Sequence, residues 1–167
     1  TYDYKFDPFT GDFLYATDFK NDIFFHKLMA NEEFKEKFVT SFLDIANNNL
    51  SKENVRNKVL EEYDISSGKL TTVFSNRFTY IKDHLAKYLK VNNEVAKVVI
   101  EANKEVKFNS ITIDSLYSGY YLKAFPITLY NVDIDSCDLT DLEVVKNSNG
   151  VIKLKITGDS PKIIIND

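Results

Sequence analysis

The apolar residues in the first half of the chain recur at the spacing of α-helices. Asn31 is a predicted N-cap, and the acidic residues Glu32 and Glu33 follow it in the first turn. We expect the apolar residues behind them to form the buried face of one helix: Phe34, Phe38, Phe42 and Ile45. Two further helices are predicted, one from Ser51 and one after the break at residues 66–68. Their aligned positions are Val55, Val59 and Tyr63 in the first, and Val73, Arg77, Ile81, Leu85 and Tyr88 in the second.

From Val95 onward the pattern changes to short runs of β-branched residues. The runs lie at residues 98–100, 111–113, 127–130, 144–145, 151–156 and 163–165. Turn signals separate them at Ser118-Gly119, Asn149-Gly150 and Gly158-Asp159. The pair Asn149-Gly150 is the strongest hairpin signal, because a type I′ turn needs positive φ at both central positions.

A series of helices followed by a series of strands predicts an α+β fold. We expect a helical lobe at residues 1–91 and a small antiparallel β-sandwich-like domain at residues 92–167. Residues 1–16 are rich in aromatic side chains but follow neither period. We therefore expect an irregular segment there that packs on the rest of the chain.

Composition and charge narrow the classes of partner. Hydrophobic residues make up 44% of the 167 residues and charged residues 28%, which is typical of a globular protein. The net charge of −4 argues against a nucleic-acid partner, because phosphate binding depends on clustered Lys and Arg. No apolar run approaches the roughly 20 residues of a membrane helix, so we expect no membrane span. Cys137 is the single cysteine, which excludes an internal disulfide, and we expect it to serve as a small apolar residue.

Few residues of the chain are candidates for chemistry. His26 and His84 lie on separate predicted helices, without a Cys or a carboxylate at ligand spacing. We expect ordinary helix residues, with a metal or catalytic role as the alternative. The chain has no Gly-x-Ser-x-Gly elbow and no glycine-rich phosphate loop, which argues against the hydrolase and P-loop classes.

Two groups of acidic residues could hold cations. The first is a string of closely spaced aspartates: Asp133, Asp135, Asp138 and Asp141. It lacks the central Gly and the closing Glu of a calcium loop, so we expect turn-forming aspartates, with calcium as the alternative. The second group, in and after the irregular segment, is Asp3, Asp7, Asp12, Asp18 and Asp22. Such carboxylates can hold Mg²⁺ together with substrate phosphates, and solvated loop acids are the alternative.

Several segments, read in order, resemble one known family. Residues 3–7 (DYKFD) look like the end of an Asp-x-Asp-x-x-Phe-(Gly/Asp) motif, and residues 25–38 (FHKLMANEEFKEKF) look like a Leu-Leu-x-Asn-x-Glu-Phe helix pair. Further matching segments are residues 50–55, 74–85, 106–111, 117–121 and 125–129. In this order they resemble the spore coat protein H (CotH) family of atypical, kinase-like proteins.

The chain also departs from that family pattern. Thr1 stands where the first Asp of the motif would fall, Tyr117 replaces a Trp, and residues 63–70 form a shorter connection. The chain begins at Thr1 with neither an initiating Met nor a signal peptide, and we therefore expect a soluble piece of a longer protein.

The resemblance implies that the chain is the helical lobe and C-terminal β domain of a CotH-type kinase. The family activity is ATP- and Mg²⁺-dependent protein phosphorylation in the spore coat or at the bacterial surface, with the nucleotide-binding lobe upstream. We therefore expect these 167 residues to be inert alone, without a bound cofactor. The expected partners are proteins of the spore coat or cell surface and the upstream lobe of the same chain. Asp3 is the residue that the resemblance assigns as a metal ligand.

Two alternatives to a kinase fragment remain open. One is a non-catalytic assembly or adhesion module that binds protein or glycan, which the degenerate Thr1 position favours. The other is an unrelated α+β structural domain.

Overall fold

The computed structural model describes residues 5, 7–9, 22–51, 57–58, 61–62 and 68–166. Helices precede strands, which gives the expected α+β fold. The helical elements are α1 (Ile23–Met29), α2 (Glu32–Ala46), a π-helical turn (Asn47–Ser51) and α3 (Gly68–Leu89). The strands are β1 (Val95–Ala102), β2 (Val106–Phe108), β3 (Ile111–Ile113), β4 (Leu116–Leu122), β5 (Ile127–Tyr130), β6 (Cys137–Thr140), β7 (Leu142–Ser148), β8 (Val151–Ile156) and β9 (Lys162–Ile165). None of the helices described is both long and apolar enough to cross a membrane.

The chain divides into two compact units, which we call the helical unit and the β unit. The helical unit comprises Thr1–Lys35 and Ile45–Asn93, and the β unit comprises Glu36–Asp44 and Glu94–Asp167. The middle of α2 therefore belongs to the β unit, although the helix is continuous. The change from helix to strand falls between Leu89 and Val95, where the sequence predicts it. The predicted domain boundary between residues 91 and 92 stays a prediction.

Side-chain caps begin the first two helices. Asp22 Oδ1 accepts a hydrogen bond from the Phe25 N–H at 2.9 Å. In the same way, Asn31 Oδ1 accepts one from the Phe34 N–H at 3.0 Å. Each bond satisfies an amide that has no partner within its own helix. The predicted N-cap at Asn31 is thereby confirmed.

The buried face of α2 differs from the predicted one. Three of the four predicted positions are only half-buried, and the fourth, Ile45, is 63% exposed. The half-buried ones are Phe34, Phe38 and Phe42. The buried positions lie on a neighbouring face: Val39, Thr40, Leu43, Asp44 and Ala46. The prediction was wrong because the buried face is displaced by one residue along the sequence, which corresponds to about 100° around the helix. The smaller side chains that follow the predicted positions face inward.

The predicted positions of α3 are buried to different degrees. Leu85 is fully buried, whereas Arg77, Ile81 and Tyr88 are half-buried. The side chain of Val73 lies outside the described residues, as do Val55, Val59 and Tyr63 of the preceding predicted helix. Residues 57–58 and 61–62 within that stretch are helical, as expected.

The end of α3 is a Schellman motif. Lys90 has a φ of 55°, in the left-handed region that ends a helix. Its N–H donates to the Lys87 carbonyl at 3.2 Å, and the Val91 N–H donates to the Ala86 carbonyl at 3.1 Å. These bonds satisfy carbonyls that the last turn would leave without partners.

The β unit is a sandwich of two sheets. One sheet has the strand order β4-β1-β9-β6 and the other β3-β2-β5-β8-β7. Buried and accessible residues alternate along β1, β5, β8 and β9, as expected for strands with one face in a core. The Phe108 ring on β2 lies 5.5 Å from the Tyr121 ring and 5.8 Å from the Tyr117 ring, both on β4. These aromatic contacts join the two sheets.

All six predicted runs lie in strands, but three strands, one strand pairing and one turn differ from the prediction. β2, β4 and β6 were not predicted, and the pair β1–β9 is parallel within an otherwise antiparallel arrangement. The predicted turn at Ser118-Gly119 was wrong, since both residues lie within β4 and Gly119 is buried opposite Val98. Pairing with β1 along the whole strand overrides the local turn preference of Ser and Gly.

The predicted hairpin at Asn149-Gly150 is confirmed. Asn149 has a φ of 53° and Gly150 a φ of 70°, as a type I′ turn requires. They join β7 to β8, which pair antiparallel with a register shift between Val144 and Lys146. The predicted turn signal at Gly158-Asp159 also lies in a connection, between β8 and β9.

Candidate functional site

The irregular N-terminal segment packs on α3 where the structure describes it. Phe9 is fully buried, and its ring stacks on the Tyr88 ring with centroids 5.2 Å apart. Asp7 Oδ1 accepts a hydrogen bond from the Phe9 N–H at 2.9 Å, which turns the chain at this point. Asp3, the predicted metal ligand, lies outside the described residues, so its role stays a prediction.

His84 contacts the same segment. Its Nδ1 lies 3.4 Å from Asp7 Oδ2, and its Nε2 lies 2.8 Å from the carbonyl oxygen of Lys5. Spacing along the sequence paired neither histidine with a carboxylate, because Asp7 is far from His84 in the chain and is brought to it by folding. A His–Asp pair can serve as a general base when the free ring nitrogen faces a substrate. Here Nε2 contacts the carbonyl oxygen of Lys5, so the ring of His84 binds the N-terminal segment.

His26 belongs to the surroundings of Tyr88. Its Nδ1 lies 3.2 Å from the Tyr88 hydroxyl, and the Phe25 ring stacks on Tyr88 at 6.0 Å. Burial raises the pKa of the Tyr88 hydroxyl above its usual value, so this hydroxyl stays protonated at neutral pH. Tyr88 is therefore where the N-terminal segment, α1 and α3 meet within the helical unit.

The aspartate string of the β unit takes part in loop hydrogen bonds. Asp133 Oδ1 accepts from the Asp135 N–H at 3.1 Å, and Asp133 is the N-cap of a short 3-10 helix. Asp138 Oδ2 accepts from an amide N–H of Asn166 at 3.0 Å. Asp141 Oδ2 accepts from the Ser160 N–H at 2.9 Å. These bonds support the expected turn chemistry, and no cluster of three or more His, Cys, Asp or Glu that could hold a metal occurs in the described part of the chain.

Cys137 stands beside this string at the start of β6. The thiol is half-buried, and its Sγ lies 3.4 Å from the Asp133 carbonyl oxygen. Burial raises the pKa of the thiol, with the negative charges of Asp133 and Asp138 acting in the same direction. A thiol held in its protonated form is a poor nucleophile, in keeping with the expected packing role.

Asp44 of α2 is fully inaccessible to solvent, which is unusual for an ionisable group. Its Oδ2 accepts hydrogen bonds from the Ser110 N–H at 2.9 Å and the Ser110 hydroxyl at 2.6 Å. Its Oδ1 accepts one from the Tyr121 hydroxyl at 2.5 Å, with an Asn109 amide N–H at 3.4 Å. The Tyr117 and Tyr121 hydroxyl oxygens lie 2.8 Å apart, so Tyr117 donates to Tyr121 while Tyr121 donates to the carboxylate.

Desolvation dominates the electrostatics of this network. Burial raises the pKa of Asp44, and the hydrogen bonds from Ser110, Tyr121 and Asn109 oppose the rise. Burial likewise raises the pKa of Tyr117 to about 12, and the pKa of Tyr121 rises for the same reason and because of the nearby Asp44 charge. Both tyrosines therefore act as permanent donors at neutral pH. The network is saturated with protein partners, which fits a structural role in the β unit.

The backbone conformation at Asn109 and its hydrogen bonds to Thr128 position one of the donors to Asp44. Asn109 has a φ of 47°, between β2 and β3. Its Oδ1 accepts from the Thr128 N–H at 2.7 Å, and its own N–H donates to the Thr128 carbonyl at 2.8 Å. The side chain is thereby fixed between β5 and Asp44. Sequence reasoning missed Asp44, and the one signal for it is a charged residue inside an apolar stretch, Phe42-Leu43-Asp44-Ile45.

No match is found among family models, curated proteins or solved structures. The likeness to the CotH family therefore remains a resemblance carried by short motifs.

A shallow depression of about 280 Å³ lies at one end of the sheet formed by β4, β1, β9 and β6. Its lining is Glu101, Ala102, Asn103, Leu116, Ile164, Ile165 and Asn166. Leu116 is 71% exposed, and Tyr120 on the same strand is 39% exposed. This face of the β unit exposes apolar side chains next to a concavity, which is the feature that the binding-module alternative needs.

Proposed function

We propose that this chain is the C-terminal portion of a CotH-type atypical protein kinase, in which Asp3 supplies a ligand to nucleotide-bound Mg²⁺. The observation that supports this proposal is the anchoring of the segment that follows Asp3. Phe9 is buried against Tyr88, and Asp7 accepts a hydrogen bond from the Phe9 N–H and contacts His84. A metal carboxylate in phosphoryl transfer must be presented from a rigid support.

The chemistry of Mg²⁺ explains why one carboxylate in this chain is enough. Mg²⁺ sheds water reluctantly and is bound through one or two carboxylates together with substrate phosphates. The upstream lobe, which the resemblance puts before Thr1, would bind the nucleotide whose phosphates provide the other ligands of Mg²⁺. The chain by itself would then be inert, and the full-length protein would phosphorylate proteins of the spore coat or the bacterial surface.

The test is phosphate transfer by the full-length protein and its Asp3→Asn variant. We expect Asp3→Asn to abolish both autophosphorylation and transfer to an acceptor protein, because the amide cannot replace the charge of the metal ligand. The matched control is Asp135→Asn, which removes an exposed carboxylate of the β unit and should leave transfer unchanged. Full activity of the Asp3→Asn variant would remove Asp3 from the site.

The second candidate function is a non-catalytic assembly or adhesion module that binds protein or glycan. It is favoured by the exposed Leu116, which lines the depression at the end of the β4-β1-β9-β6 sheet, and by Tyr120, which is exposed further along β4. An inactive wild-type full-length protein would favour this second function. Binding of surface proteins or glycans that is lost in Tyr120→Ala, with the fold intact, would then support it.

A further inference from the structure

Strand β4 forms one edge of the β4-β1-β9-β6 sheet, and none of its residues protects that edge. It is seven residues long, its sequence LYSGYYL carries no charge, and its register with β1 is unbroken. The other edge strands of the described sheets differ: β3 and β6 are three and four residues long, and β7 has a register shift and the charged residues Glu143 and Lys146. A long, uncharged edge strand is a template for pairing with another strand.

The backbone groups of alternate β4 residues face away from β1. The Val99 N–H on β1 donates to the Pro161 carbonyl at 3.0 Å, on the side of β9, so Val99 and its β4 neighbour Ser118 exchange no hydrogen bonds. The N–H and C=O of Ser118 therefore point away from β1, toward the edge of the sheet. Because this direction alternates along a strand, the same holds for Leu116 and Tyr120.

The side chains of these three residues lie on the accessible face of the sheet. Leu116 is 71% exposed and Tyr120 39% exposed, and Ser118 between them is half-buried. An antiparallel pairing of two β4 strands centred on Ser118 puts Leu116 of each copy opposite the partner's Tyr120. The aliphatic and aromatic side chains then cover each other, which is a favourable cross-strand combination. The backbone groups of all three residues meet as pairs that exchange hydrogen bonds in both directions.

We propose that β4 pairs with β4 of a second copy of this chain, antiparallel and centred on Ser118, which joins two four-stranded sheets into one. A two-fold axis at the Ser118 pair relates the copies, so the contact closes as a dimer. The proposal goes beyond phosphate transfer and does not depend on it.

Charges on the neighbouring strand are complementary in this arrangement. On β1, Glu101 lies beside Leu116 and Lys97 lies beside Tyr120. Each row across the joined sheet thus runs from a carboxylate, through Leu116 and the partner's Tyr120, to an ammonium. No like charges on β1 and its copy fall in one row, and β4 adds none.

The first test is sedimentation velocity of the 167-residue chain. We expect a reversible monomer–dimer equilibrium between about 1 μM and 1 mM of chain, since small interfaces associate weakly. A chain that stays monomeric over this range would overturn the proposal. Growth beyond the dimer would also overturn it, because a two-fold contact uses the β4 edge of both copies.

The second test removes the central donor. Ser118→Pro deletes an N–H that faces the edge, so the hydrogen bonds to β1 stay in place. We expect the dissociation constant to rise about 10-fold, because the Ser118 pair loses both of its hydrogen bonds. The matched control is Ser118→Ala, which keeps the N–H and should dimerise like the wild type. Equal dissociation constants for the two variants, both folded by circular dichroism, would contradict pairing through β4.

The third test addresses the register and needs no proline. Leu116→Lys/Tyr120→Glu puts an ammonium opposite a carboxylate of the partner, whereas Leu116→Lys/Tyr120→Lys puts two ammonium groups opposite each other. Within one copy the two positions are about 13 Å apart, so their charges interact mainly across the dimer. We expect the first double variant to dimerise about 10-fold more tightly than the second, and the difference to shrink in high salt. Equal association of the two would rule out the register centred on Ser118 and overturn the proposal.

Discussion

Removing the Asp44 carboxylate should destabilise the β unit strongly. In Asp44→Ala, the Ser110 N–H and the hydroxyls of Ser110 and Tyr121 lose the acceptor that they share. Tyr121 is buried, whereas Ser110 is exposed. An unsatisfied buried donor costs about 1–3 kcal/mol, which applies to the Tyr121 hydroxyl, whereas water can reach the donors of the exposed Ser110. We therefore expect a loss of about 2–3 kcal/mol in the free energy of unfolding, because the substitution leaves neutral donors without an acceptor and no unpaired charge.

The isosteric variant tests the same argument more finely. In Asp44→Asn the amide oxygen can still accept from Ser110, and the amide nitrogen can donate to the Tyr121 oxygen if Tyr121 turns its hydroxyl toward Tyr117. The rearrangement keeps most partners satisfied, so we expect a loss of only about 1–2 kcal/mol. Urea denaturation followed by circular dichroism measures both variants. Asp114→Asn, at an exposed aspartate of the same unit, is the control.

The raised pKa of Asp44 fixes the direction of the pH dependence. Desolvation raises the folded-state pKa above the ordinary value of 3.8, so the native state binds the proton more tightly than the unfolded state. The stability that Asp44 contributes is then fully present below pH 3.8 and is lost as pH rises through the folded-state pKa. The advantage of wild type over Asp44→Asn should therefore be larger at acidic than at neutral pH. An advantage that grows with pH, or a loss below about 1 kcal/mol in Asp44→Ala, would refute the reasoning.

Two further predictions concern the core and the nucleotide. Phe38→Ala should cost about 1–2 kcal/mol, less than the about 2–5 kcal/mol of Leu43→Ala, because Phe38 is half-buried and Leu43 is 1% exposed. Thermal melts of the two variants show which substitution destabilises the protein more. A larger loss in Phe38→Ala would indicate that Phe34, Phe38 and Phe42 form the buried face of α2, as the sequence predicted. The 167-residue chain should bind Mg-ATP with no affinity measurable by calorimetry, since no phosphate-binding glycine loop occurs in its sequence. Micromolar binding would contradict the assignment of the nucleotide site to an upstream lobe.

Local patterns predicted those features of the fold that local chemistry determines. The N-cap at Asn31 and the hairpin at Asn149-Gly150 depend on neighbouring residues only, and both were found where expected. β4 was missed because Ser118 and Gly119 have turn preferences, whereas the pairing that makes them a strand comes from β1. The residues of a strand do not specify which other strand it pairs with, so local patterns do not predict such a strand.

The candidate sites were harder to predict for the same reason. The bonding partners of Asp44 lie in the β half, and those of His84 lie near the start of the chain. A pattern reading treats Asp44 as a solvated helix residue, because an isolated buried carboxylate would be too costly. Only the fold shows that three residues of the strand region, Asn109, Ser110 and Tyr121, reduce that cost by donating hydrogen bonds to the carboxylate. The two apolar faces of α2 were likewise indistinguishable until the packing selected Val39 and Leu43.

The sharing of α2 between the two units bears on how such a chain can be inherited. A domain that recombination moves as a cassette must carry its whole core within one continuous stretch of gene. The β unit does not, since Glu36–Asp44 is separated from Glu94–Asp167 by a segment of the helical unit. Recombination at residue 92 would transfer the strands without Asp44. The hydroxyls of Ser110 and Tyr121 would then lose the carboxylate to which they donate hydrogen bonds. Helices and strands of this protein are therefore expected to pass together from one genome to the next.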